Sequence, residues 1–140
     1  MNTRMLALAT TAAVIALPAT ALAASPTGAP PARAAAATTR RATLTHSSAY
    51  PKATGSATYQ AQNTRRELQV ELNHLTSLAG KRVTITAGRT RIGTTKVTKA
   101  GVVDASWNTE SKQKVPSVTK GQAITARTST GTLIASGHFS

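Results

Sequence analysis

Residues 80–97 read Gly-Lys-Arg-Val-Thr-Ile-Thr-Ala-Gly-Arg-Thr-Arg-Ile-Gly-Thr-Thr-Lys-Val, and their spacing leaves little choice beyond a β-hairpin. Val83, Ile85 and Ala87 recur every second position, with Thr84 and Thr86 between them, so an extended chain puts the first set on one face and the second on the other. Ala87-Gly88 offers a tight reversal, because Gly88 is free to take positive φ. The return strand runs from Ile92 to Val97. Those two residues have opposite parity, and a β-bulge at Gly93 is the device that would turn both inward. The hairpin then has one apolar face and one basic, hydroxylated face.

The same period-two grammar extends over residues 53–140, in short runs broken by Gly or polar clusters. Ala53, Gly55, Ala57, Tyr59 and Ala61 alternate with polar residues. Leu68, Val70 and Leu72 alternate with Glu67, Gln69 and Glu71, and this two-residue spacing decides for strand over helix. Leu75 and Leu78 cap the core. Val103, Ala105 and Trp107 face in, with Asp104 and Ser106 out. Asn108 to Lys120 is the longest break. Ile124 and Ala126 pair with Leu133 and Ala135 across Ser129-Thr130-Gly131, and Phe139 closes the chain. Gly80-x-x-Val83-x-Ile85 is echoed by Gly121-x-x-Ile124-x-Ala126, which reads as sheet grammar. A chain of this size buries about 60–65% of its unfolded surface. The expectation is an all-β domain over 53–140, a small antiparallel β-sandwich of about seven strands.

What precedes it reads differently. Arg4, the apolar run Leu6–Leu17 and the small-x-small site Ala21-Leu22-Ala23 make residues 1–23 a secretory signal peptide. About 12 apolar residues are too few to span a bilayer. Residues 24–52, rich in Ala, Pro, Thr and Arg, read as a disordered arm, within which Thr43-Leu44-Thr45 could pair as a short strand. The expected location is secreted, with the cell envelope as a site of association.

Two sets of residues carry resemblances. Ala53-Thr-Gly-Ser-Ala57, with Arg66-Glu-Leu-Gln-Val-Glu-Leu72 and Leu75, resembles the opening of chordin-type (CHRD) domains, without the His-x-His segment of that family. Ile92-Gly-Thr-x-x-Val97, Val115-Pro-x-Val118-x-x-Gly121 and Gly131-Thr-Leu133 to Ser136-Gly-x-Phe139 are similar to small secreted bacterial β-domain proteins of uncharacterised function. The resemblances imply a secreted β fold and transfer no catalytic or binding residue.

Seventeen Lys+Arg against four Asp+Glu give a formal charge of +13, and loss of Arg4 with the signal leaves +12. Such a chain is drawn to polyanions, the more so at low salt. Catalytic chemistry has little to work with. Glu67 and Glu71 lie about 13 Å apart along one strand, beyond the roughly 5–9.5 Å of a glycosidase pair, and are read as partners of Arg65, Arg66 or a cross-strand Lys. Asp104 faces solvent. His46, His74 and His138 lack metal-ligand spacing, and with no Cys in the chain neither a disulfide framework nor a thiolate site arises. No phosphate-cradling loop occurs, and no cofactor is expected. Trp107 shares the parity of core residues. Aromatic interleaving of the kind that single-strand nucleic-acid binders use is missing.

The basic residues of the hairpin, Lys81, Arg82, Arg89, Arg91, Lys96 and Lys99, are left as the candidate site, a stripe complementary to a linear polyanion. The function expected is a non-enzymatic binding or structural module that associates with anionic cell-wall or extracellular polymer. The alternative is a module, or inhibitor, that binds a secreted protein through the loop 108–119 around Pro116.

Overall fold

A computed structural model describes residues 36–140; the expected signal peptide and the first part of the arm lie outside them. Eight strands follow in chain order: β1 (Thr38–His46), β2 (Thr54–Gln62), β3 (Arg65–Asn73), β4 (Arg82–Ala87), β5 (Thr90–Lys96), β6 (Val103–Asn108), β7 (Ala123–Thr128) and β8 (Leu133–His138). One 3-10 turn, Thr76–Leu78, sits between β3 and β4. All neighbours are antiparallel.

The class is all-β, as the alternation requires, but the layout differs from two stacked layers. The eight strands form one sheet in the order β5-β4-β7-β8-β1-β2-β3-β6. Its two edges, β5 and β6, come back against each other without entering a ladder, so the sheet is a nearly closed barrel. Counted across that seam, β7 returns through residues 109–122 to lie beside β4, outside the run β4-β5-β6, which is a Greek-key connection. The apolar sides of every strand then meet in one interior, where Leu68, Leu72, Leu75, Val83, Ile85, Val103, Ile124 and Ile134 are fully buried.

The eighth strand comes from the expected arm: Thr43-Leu44-Thr45 pairs as the sequence allowed, and the correction is that the strand is nine residues long and takes in Thr38–Ala42 as well. Residues 38–46 run along the whole of β2, from Thr38 opposite Ala61 to Thr45 opposite Thr54, and touch β8 at Thr45 and His46. Ala42 and Leu44 are 4% and 2% exposed. The alternation was hard to read because the inward positions of β1 are Arg40, Ala42 and Leu44, of which only Leu44 is a large apolar residue. The β-branched threonines, which suit an extended backbone, do the rest. Residues 47–53 form the turn into β2, with Tyr50 N–H donating to the Ser47 carbonyl and Ala53 N–H to that of Tyr50.

The central hairpin follows its reading closely. Ala87 faces Thr90, leaving a two-residue loop, Gly88-Arg89, of which only Gly88 has positive φ (59°), as a II′ turn requires. The ladder slips where Ile85 faces Gly93 and Thr86 faces Arg91. Ile92 is the extra residue of that bulge, and both Ile92 and Val97 are buried. Gly93 has a further role: a Cβ there would collide with the Trp107 indole nitrogen. The indole of β6 therefore lies against bare backbone of β5 and plugs the unpaired seam. Trp107 is 7% exposed.

The echoed segments prove to be partners. Val83, Ile85 and Ala87 of β4 face Thr128, Ala126 and Ile124 of β7. A half-turn about an axis between Ile85 and Ala126 carries Val83 onto Ile124 and Ala87 onto Thr128. The bulges obey the same axis: the second ladder slips between Ala126 and Arg127, with Ile134 as its extra residue. That slip corrects the reading of β8, where Leu133 was expected inside. Leu133 is half-buried, whereas Ile134 and Ala135 are buried in succession.

Candidate polyanion-binding face

The outward positions of β5, β4 and β7 can be laid out from the ladders. Lys96 faces Arg82. In the next row Thr94 faces Thr84, which faces Arg127. In the third, Arg91 faces Thr86, which faces Thr125. The third row continues through Ser136 of β8 to Thr45 of β1, so hydroxyls extend across the sheet from the Arg91 side. Lys96, Arg82, Arg91 and Arg127 are all exposed, and they surround Thr84, Thr94 and Thr86. The Arg91 guanidinium donates to Thr94 Oγ1 at 2.6 Å, and the Thr84 and Thr94 hydroxyls lie 3.3 Å apart. Arg127 is itself steadied by a 2.9 Å bond from Nη1 to the Gly131 carbonyl.

The face thus gathers Arg82, Arg91 and Lys96 from the expected stripe. The other members are exposed but stand off it. Lys81 precedes β4, opposite Val97, whose N–H donates to its carbonyl. Lys99 lies in the β5–β6 turn and, with Lys96, borders a hollow of about 300 Å³. Arg89 is at the hairpin tip, the opposite end from Arg82 and Lys96. Arg127 was missed by sequence reasoning. The available signal was the parity of Ile124 and Ala126, which leaves Arg127 facing out; its place beside β4 comes from the long-range β4–β7 ladder.

Nothing on this face offsets its charge. Among the described residues the ion pairs are Arg65–Glu67 at 3.9 Å and Arg65–Glu110 at 3.4 Å. All four acids of the chain lie on β3, on β6 or just after it. Glu71 faces Asp104 directly, and the side-chain amide of Asn73 donates to Glu71 at 3.0 Å. The expected cation partner holds for Glu67, through Arg65, and fails for Glu71. Like charges directly opposite on one sheet face repel, and the barrel has such a pair of each sign on separate walls: Arg82 with Lys96, and Glu71 with Asp104.

The remaining chemistry-bearing residues stay apart. His46, His74 and His138 are exposed, and no group of His, Cys, Asp and Glu among the described residues could hold a metal ion. No helix among them is long and apolar enough to cross a membrane. The loop after β6 is anchored inward. Val115 and Val118 are buried, Pro116 is half-buried, and the Asn108 side chain accepts from Ser111 N–H at 2.7 Å. Compared with known proteins, the chain matches no family model. It also matches no curated protein.

Proposed function

We propose that this chain is a secreted, non-enzymatic module that associates electrostatically with anionic envelope or extracellular polymer through the outer face of β5, β4 and β7. The observation that carries the reading is the Arg82–Lys96 pair: two cations directly opposite, neither in an ion pair among the described residues, joined by Arg91 and Arg127 around a floor of threonine hydroxyls. Such a pair costs stability in the free protein. A bound polyanion turns that cost into attraction, with the guanidiniums forking onto oxygen pairs and the lysine acting as a point charge. The hydroxyls add donors that serve any oxyanion, so the face reads charge and spacing, not a defined sequence of units. The inward anchoring of Val115 and Val118 favours this face over the 108–119 loop as the binding element.

The test is binding of the chain to polyphosphate, a soluble linear polyanion, over a salt series. Contacts from Arg82, Lys96, Arg91 and Arg127 predict a slope of about −3 in log K against log salt, at roughly 0.7 per neutralised charge. Replacing all of them with Ser should abolish binding, whereas Lys112→Ser with Lys114→Ser should leave most of it. No binding at low salt, or equal loss in the two variants, overturns the reading.

A further inference from the structure

Arg40 is on the wrong side of the sheet for a surface cation. It has the parity of Ala42 and Leu44 in β1 and faces Tyr59 of β2, which is 2% exposed. Arg66 repeats the pattern in β3: it has the parity of Leu68 and Val70 and faces Ala61. Both arginines are half-buried. They stand two strands and two residues apart on the inner wall, about 10 Å by 7 Å between backbones, which two extended arginine side chains can bridge onto a single small anion.

Neither finds a counter-charge in the chain. The acids are placed elsewhere, and the ion pairs among the described residues belong to Arg65. Arg66 has only a long contact, 3.5 Å from Nη1 to the Val115 carbonyl. The Arg40 Nε atom is buried with no hydrogen-bond partner. A guanidinium cannot relieve this by losing its proton. An orphaned buried donor costs desolvation energy, and an unpaired charge on a core-facing position adds to it.

We propose that Arg40 and Arg66 form an oxoanion site at this end of the barrel, next to the segment 109–122, which takes a single phosphate or carboxylate group. The site is separate from the polymer-binding face. It lies on the inner side of β1 and β3, whereas that face is on the outer side of β4, β5 and β7. The arrangement suits a small planar or tetrahedral oxyanion, because a guanidinium presents paired donors to two oxygens of one group.

The experiment titrates inorganic phosphate, and separately acetate, into the full chain at constant ionic strength set with chloride. It follows the arginine Nε–H resonances by NMR and the melting temperature. The Arg40 Nε–H signal should shift saturably and the melting temperature should rise with at least one anion, and the anion that saturates first identifies the group. Arg40→Met keeps the aliphatic stem and should abolish the response while folding as stably as the parent without anion. Arg66→Met should weaken the response, and Lys52→Ser, in the exposed turn between β1 and β2, should leave it intact. If Arg40→Met does not fold, the signal of the unsubstituted chain and Arg66→Met decide. An Arg40 signal unmoved by either anion overturns the site. So does a shift of the Arg66 Nε–H signal that persists unchanged in Arg40→Met, or an Arg40 shift that disappears in Lys52→Ser.

Discussion

Gly93 and Trp107 show how much can rest on a missing side chain. The indole lies where a Cβ on β5 would have to be, and the atoms in conflict are the ring itself, which cannot swing aside without leaving the core. Gly93→Ala should therefore cost about 1–3 kcal/mol, the usual range for overpacking, read as a lower urea midpoint at unchanged slope. Arg82 makes the opposite prediction. Taking away one of two facing cations relieves repulsion of about 0.2–1 kcal/mol. Arg82→Ser should raise the midpoint slightly while weakening polyphosphate binding. A residue kept for packing would lower both. Glu71→Gln, across from Asp104, should be stabilising by a similar amount with no effect on binding, which separates the two walls.

At the scale of elements, β1 is the decisive case. Leu44 is 2% exposed, held between β2 and β8, so Leu44→Ala should cost about 2–5 kcal/mol in thermal or chemical unfolding. A mobile arm would lose nothing. The alternation was legible wherever large apolar residues held the inner positions, as at Leu68-x-Val70-x-Leu72 or Val83-x-Ile85-x-Ala87. It was not legible where Arg40 and Ala42 held them, because period-two reasoning recognises burial only through the residue types that usually mark it. The bulge at Ile92 could be read from a parity conflict between two apolar residues in one strand. The bulge at Ile134 could not, because Leu133, Ile134 and Ala135 are all apolar, so either parity looks satisfied. The basic face was legible as to β4 and β5, which are adjacent in the chain. Arg127 was not, because a ladder between β4 and β7 is a long-range fact that local spacing does not encode.

For the whole molecule, the net charge of +13 conceals a segregation that composition cannot express. Every acid sits on or beside β3 and β6, and the cations of the proposed binding face lie across the seam on β5, β4 and β7. Polyanions should approach with that wall foremost, and association rates should fall steeply with salt. Closure of the sheet was equally hidden, since alternation tells which side of a strand is buried but not whether the far edges meet. The unpaired edges should also be the first part to yield. Amide exchange in β5 and β6 should be faster than in β1 and β2, whose backbones are paired on both sides or along their full length, because local opening follows the density of protecting bonds.

The plug in that seam is the sole tryptophan of the chain. Its emission comes from the one place where the wall is shut by a side chain instead of being stitched by backbone. A red shift should therefore report parting of the two edges before circular dichroism registers any loss of strand. The protein carries its own optical gauge of how tightly the barrel is sealed.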